Sequence, residues 1–181
     1  PTGSRPLETA RAMLATLPAA CPIVATGYGR DIVEKACDIR TVTEIKAHAA
    51  GARFLDPNCS SVIDIGGQDV KVIGLDANGR VAKFEMNDRC AAGTGRFIEI
   101  MAQRLGLTLE TFVCAASQGS GSRVTINSMC TVFAESEVIG LIGRGYTRED
   151  IGYALHASMA KRIAAMFSRL APHQHHVLAT G

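Results

Sequence analysis

Two groups of residues in this chain have the types and spacing to do chemistry. The first is the run Asp64-Ile65-Gly66-Gly67-Gln68-Asp69, placed where an apolar strand pattern turns sharply into a second one. Paired glycines let backbone N–H groups approach a phosphate with no Cβ in the way, and an aspartate at a strand end can hold a hydrated magnesium ion. Gly66 and Gly67 are therefore expected at a phosphate, and the aspartate at the strand end, Asp64, at the metal. A tight β-turn with incidental aspartates is the competing reading. The chain contains no GxxxxGK[ST], so this is not a P-loop.

The second group is a pair of cysteines. Cys90 stands before Ala-Ala-Gly-Thr-Gly-Arg-Phe, and Cys130 stands before Thr-Val-Phe-Ala-Glu-Ser-Glu-Val, each ahead of a helical pattern. Unpaired N–H groups and partial positive charge collect where a helix begins, which favours an anionic sulfur or an anionic cluster. Either cysteine alone reads as well as a packed thiol, since free cysteine is among the most buried residue types; the matched surroundings favour a shared ligand. Two thiolates do not complete a [4Fe-4S] cluster, which takes four. In a C2 dimer the two copies of Cys90 and Cys130 would supply all four, giving one cluster per dimer.

The elements that must position these residues follow from periodicity. A helix is expected near residues 6–17, a short buried strand in Cys-Pro-Ile-Val-Ala-Thr-Gly, a helical turn or two in Arg-Asp-Ile-Val-Glu-Lys-Ala-Cys, and a helix over 43–55. A strand at 61–65 leads into two more joined across Asn78-Gly79, a hairpin dipeptide that tolerates positive φ at both positions. From residue 92 the pattern is helical, with Phe97, Ile98, Met101 and Leu105 on one face. Further helices are expected in Leu-Thr-Leu-Glu-Thr-Phe-Val-Cys-Ala-Ala-Ser, over 131–143, and over 147–170, where Thr147 and Asp150 have capping-box spacing. The closing His-His-Val-Leu-Ala-Thr-Gly reads as a strand. The whole is an α/β or α+β pattern, with helices covering a mixed sheet.

Composition excludes several classes. With 19 Lys and Arg against 17 Asp and Glu there is no basic excess to attract nucleic acid or an anionic membrane. No apolar run reaches the roughly 18 to 20 residues of a membrane span, and the first residues lack a signal-peptide core. A cytoplasmic location is expected, with the six cysteines reduced and none in CxxC spacing. Arg30 in Thr-Gly-Tyr-Gly-Arg, His48, Glu135, Glu137 and the group His173, His175 and His176 are assigned no chemistry. Glu135 and Glu137, two apart on a helix, face different ways.

A strand followed by Asp-Xaa-Gly-Gly and a hairpin is similar to the phosphate loops of the actin, sugar-kinase and Hsp70-type ATPases. More specifically, "ATGYGR", "VIDIGGQDVKVI", "NDRCAAGTGRF" and "CTVFAESEVI", in that order across most of residues 23–170, resemble the ATP-dependent activators (component A) of 2-hydroxyacyl-CoA dehydratases. These group with the ATPase subunits of benzoyl-CoA reductase in the BadF/BadG/BcrA/BcrD type. The resemblance implies an actin-like (ribonuclease H-like, ASKHA) ATPase fold, with 1–60 as the end of a first subdomain and 61–181 as a second. It implies a homodimer bridging one [4Fe-4S] cluster through Cys90 and Cys130, and Mg and ATP or ADP at Asp64, Gly66, Gly67, Gln68 and Asp69. Asp64 would be catalytic, and Gln68 or Asp69 would orient the attacking water.

The implied function is reductive activation. ATP hydrolysis would tilt the helix after Cys90 and send a low-potential electron into an iron-sulfur dehydratase or reductase, with ferredoxin or flavodoxin as donor. Family members open with an Asp-Xaa-Gly-Ser-Thr phosphate loop and continue past the terminal Thr-Gly, so the chain reads as truncated at both ends, and weak ATP hydrolysis is expected of this stretch alone. Two other readings stand beside this one: a sugar- or acetate-kinase-like phosphotransferase with packed cysteines, and a non-catalytic dimerisation fragment.

Overall fold

The computed structural model describes residues 5–18, 21–88, 93–120, 124–127, 130–170 and 176–181. They form two compact units, Pro1–Pro57 and Asn58–Gly181.

The first unit contains α1 (Pro6–Leu14), β1 (Val24–Ala25), α2 (Arg30–Cys37), β2 (Arg40–Thr41) and α3 (Glu44–Leu55), with β1 and β2 paired in parallel. Gly27 takes φ 89° at the turn into α2, and the Arg30 guanidinium donates back to its carbonyl at 3.2 Å. The Thr-Gly-Tyr-Gly-Arg stretch is thus a strand-to-helix turn stabilised by its own arginine. Asp38, in the left-handed region at φ 51°, ends α2. Thr43 caps α3 by accepting the Lys46 N–H at 3.4 Å.

The second unit is built on a four-stranded sheet in the order β5-β4-β3-β6, from β3 (Ser61–Ile65), β4 (Val70–Leu75), β5 (Val81–Asn87) and β6 (Val177–Thr180). β3, β4 and β5 run antiparallel in succession, while β6 lies parallel to β3 at the far edge. The β4–β5 connection differs from a two-residue Asn-Gly hairpin. Only Gly79 has positive φ (74°), and the Asp76 carboxylate accepts the N–H groups of Asn78 and Arg80 at 2.9 and 2.8 Å. A register shift at Gly74/Leu75 followed by an Asx-type turn at Asp76 makes the reversal.

Four helices complete this unit: α4 (Gly95–Arg104), α5 (Leu109–Gln118), α6 (Thr131–Gly143) and α7 (Arg148–Leu170). The period-four stripe of α7 divides its labour along its length. Ile151 and Leu155 pack with Phe97, Met101, Phe112 and Val138 among the helices, whereas Ile163 and Met166 lie on Val70 and Val72 of the sheet. Gly152 permits the close approach of α5, since a Cβ there would sit 3.0 Å from that of Ala116. Strand pleating then puts Asp64 and Lys71 on the opposite face of the sheet from α7, because Ile63, Ile65, Val70 and Val72 face it.

α6 carries apolar residues on its exposed side as well as on its buried one. Ala134, Val138 and Leu141 are buried, while Val132, Phe133, Ile139 and Ile142 are exposed. The capping box at α7 is half as expected. Thr147 accepts the Asp150 N–H at 3.2 Å, but the buried Asp150 carboxylate reaches outward to the Ser120 N–H at 3.0 Å, tying the α5 exit to the α7 entry. Asp150→Ala is accordingly expected to cost about 1–3 kcal/mol, because it orphans a backbone donor and removes a carboxylate from the first turn. Urea denaturation of the full-length polypeptide checks this, and an unchanged midpoint would contradict it.

Candidate functional site

β-sheet register builds one half of the site. Asp64 is opposite Lys71 across the antiparallel β3–β4 pair and opposite Thr180 across the parallel β3–β6 pair, so three side chains from adjacent strands form a row. The Lys71 ammonium lies 3.2 Å from Asp64 Oδ2 and 2.6 Å from Asp69 Oδ1. The Thr180 hydroxyl donates to the other Asp64 oxygen at 2.8 Å. Asp64 and Lys71 are almost fully buried, at 4% and 2% exposure, so their charges oppose each other where water screens little.

The loop between β3 and β4 closes on itself through the Gly66 N–H, which donates to the Asp69 carbonyl at 2.9 Å. A Cβ at Gly66 would fall 3.0 Å from Asp69 Oδ1 and 3.1 Å from its carbonyl oxygen, which explains the glycine. Its amide is therefore committed to the turn. Gly67 and Gln68 form the exposed tip, and a Cβ on Gly67 would meet nothing within 4 Å. The tip is the open part of the loop, and the carboxylates lie behind it.

The loop also carries α4. The Gly95 N–H donates to the Gly66 carbonyl at 2.9 Å and the Arg96 N–H to the Gly67 carbonyl at 2.8 Å. The first two amides of the helix thus bind the loop's carbonyls. A Cβ on Gly95 would lie 3.3 Å from Gly67 Cα, so the contact is backbone against backbone. α4 starts at Gly95 after Thr94, its N-cap residue. Cys90 lies outside the described residues, as do His173 and His175.

Cys130 is the N-cap residue of α6. Its carbonyl accepts the Ala134 N–H at 2.9 Å, and its thiol makes no capping bond. Glu137 on the same helix accepts the Asn127 N–H at 3.3 Å and so tethers the segment leading to Cys130. Glu135 pairs with Arg104 at 2.7 Å and joins α6 to α4. Both glutamates thus make contacts that join α6 to other segments of the unit. α4 and α6 share one core through Phe97, Ile98, Ala134 and Val138. Cys59 is buried, with its thiol against the Ser61 carbonyl at 3.1 Å.

Lys71 and Thr180 were not singled out from sequence. A lysine inside the otherwise apolar Val-Lys-Val-Ile-Gly-Leu was the available signal, because a strand buried on both faces admits a charge only opposite a partner.

Residues 6–181 match the BadF/BadG/BcrA/BcrD ATPase family. The chain belongs to this family. It is 46% identical over 147 residues to the (R)-2-hydroxyglutaryl-CoA dehydratase activating ATPase of Acidaminococcus fermentans, covering 81% of this chain and 55% of that protein. Among solved structures, component A of the same A. fermentans dehydratase aligns with a TM-score of 0.78 at 44% identity, over 87% of this chain and 60% of that one. The activator of the 2-hydroxyisocaproyl-CoA dehydratase from Clostridium difficile, solved with bound ADPNP, aligns with a TM-score of 0.79 at 38% identity, over 99% of this chain and 66% of that one. The fold is the actin-like ATPase fold, as the phosphate-loop resemblance implied. The chain spans a little over half the length of the A. fermentans relative. Among the described residues of this family member no helix is long and apolar enough to cross a membrane.

Proposed function

We propose that this family member is an ATP-dependent reductive activator. It would pass a low-potential electron from a [4Fe-4S] cluster, shared by a homodimer, to a 2-hydroxyacyl-CoA dehydratase or benzoyl-CoA reductase-type partner, with ferredoxin or flavodoxin as its own donor. The observation that carries the reading is the seating of α4 on the phosphate loop. The helix that follows Cys90 has its first two amides bonded to the carbonyls of Gly66 and Gly67, so a shift of the loop moves the helix.

The residues fit the groups this function needs. Asp64 and Asp69 are hard oxygen donors suited to magnesium, and the open tip at Gly67 and Gln68 leaves room for a nucleotide's phosphates. Gly66 shapes the turn, and Gln68 or Asp69 orients water. Cys130, with a thiol uncommitted to capping at a helix N-terminus, suits an anionic cluster, and Cys90 supplies the second thiolate of each protomer. Such a cluster contributes a one-electron couple. Val132 and Phe133, at 65% and 68% exposure in the first turn of α6, give that end of the helix the apolar surface a second copy would cover.

The experiment is anaerobic reconstitution of the full-length polypeptide, with iron and sulfide analysis and EPR. Close to four irons per dimer and an EPR-active reduced state are expected, both lost in Cys90→Ser and Cys130→Ser. A colourless wild type, or a serine variant that assembles the cluster normally, rejects the reading and leaves a phosphotransferase or a non-catalytic module.

A further inference from the structure

Lysine is seldom fully buried unless paired, and stripping water from an ammonium costs several kcal/mol. Lys71 is nevertheless among the largest fully buried side chains of the described residues, on a strand where Val70, Val72 and Ile73 are sealed from water. One carboxylate would suffice to neutralise it. The chain supplies two, from different places: Asp64 from the facing strand and Asp69 from the loop end. The ammonium therefore bridges the fixed part of the site to its loop, and the three groups together keep one net negative charge. That remaining charge is reached from the loop side, where Asp69 is 14% exposed against 2% for Lys71.

We infer that Lys71 is a positioning residue of the phosphate-loop site, an internal cation that holds Asp64 and Asp69 together and limits how tightly the pair takes up a divalent cation. This rests on the phosphate-loop reading above. Ammonium and metal share the same carboxylates. With Lys71 in place, a divalent ion meets one net negative charge and binds firmly only when a nucleotide's phosphates add theirs. Without it, the ion meets two negative charges and binds the empty protein. Lys71 thereby makes metal uptake depend on the nucleotide.

Manganese titration of the nucleotide-free full-length polypeptide, followed by EPR of the free ion, tests this. Lys71→Met is expected to bind Mn²⁺ at least about tenfold more tightly than wild type. The double variant Lys71→Met with Asp69→Asn restores one net negative charge and is expected to return towards the wild-type affinity. Should the single variant not fold, Asp69→Asn is compared with the double variant. Removing the cation from that background must again tighten Mn²⁺ binding. Equal affinities in either comparison, with only thermal stability changed, make Lys71 a structural pair and overturn the inference alone. A wild type that binds Mn²⁺ neither with nor without ATP overturns the phosphate-loop reading and this inference with it.

Discussion

Asp64→Asn in the full-length polypeptide is expected to lower kcat for ATP hydrolysis by at least about 100-fold, the scale on which removal of a charged group at a phosphoryl-transfer site is felt. The substitution keeps the side chain's size and its bond from the Thr180 hydroxyl, and removes the charge. Two effects follow from one atom's change. A metal bound as proposed would lose a charged ligand, and the Lys71 ammonium would lose one carboxylate while Asp69 stays 2.6 Å away. Breaking a buried ion pair on one side costs about 3–5 kcal/mol when nothing remains to compensate; the surviving carboxylate places the expected loss of stability below that range. Steady-state ATP turnover and thermal unfolding, measured on one preparation, separate the two. A variant with lowered stability but undiminished kcat would show that Asp64 serves the sheet and not the nucleotide.

Under the proposed function, Gly95→Val is expected to break the link between hydrolysis and electron delivery. A Cβ at this position meets Gly67 Cα at 3.3 Å and the Gly66 carbonyl oxygen at 3.5 Å, so alanine forces a shift of a few tenths of an ångström and valine a larger one. Overpacking of this kind costs about 1–3 kcal/mol. It falls on the two hydrogen bonds that seat α4 on the loop, at 2.9 and 2.8 Å. Cys90 and Cys130 are untouched, so cluster content should match wild type. Electrons delivered to the partner enzyme per ATP hydrolysed should fall about tenfold or more, with Gly95→Ala in between, a loss of roughly 1.4 kcal/mol of coupling. An unchanged ratio would mean that loop and helix communicate by another route.

Much of this architecture could be read before the structure, wherever one element's own periodicity carries the information. Phe97, Ile98, Met101 and Leu105 repeat at helical spacing and are all buried, because a helix with one apolar face has only one way to turn. β3 begins and ends as its apolar alternation indicates, and the glycine pair marks the turn after it. What escaped is what depends on partners far away in the chain. β2 is two residues long, Arg40 and Thr41, and is a strand only because β1 lies beside it. The pairing of β3 with β6, and hence the place of Thr180 on Asp64, follows from a register that no local pattern encodes. Lys71 stands inside the Val-Lys-Val-Ile run, yet its meaning comes only from the residue opposite, Asp64. The Asn-Gly dipeptide marked the reversal correctly, whereas the turn's form was set by Asp76 accepting two amides.

The two neighbours of β3 differ in how far the chain travels to reach them. β4 arrives through a four-residue loop, while the Thr180 hydroxyl comes to Asp64 from 116 positions away. Closing a span of that size costs about 4 kcal/mol of chain entropy beyond a length-independent term, against roughly 1 kcal/mol for the short loop. The hairpin arm can thus form early and locally, and the parallel edge must wait until the helices between have condensed. Lys71 and Asp69 reach Asp64 through the short local arm, whereas Thr180 completes the row from a distant part of the chain. The two pairings that hold Asp64 in the sheet thus differ in the chain entropy each must overcome, and the parallel one carries the larger cost.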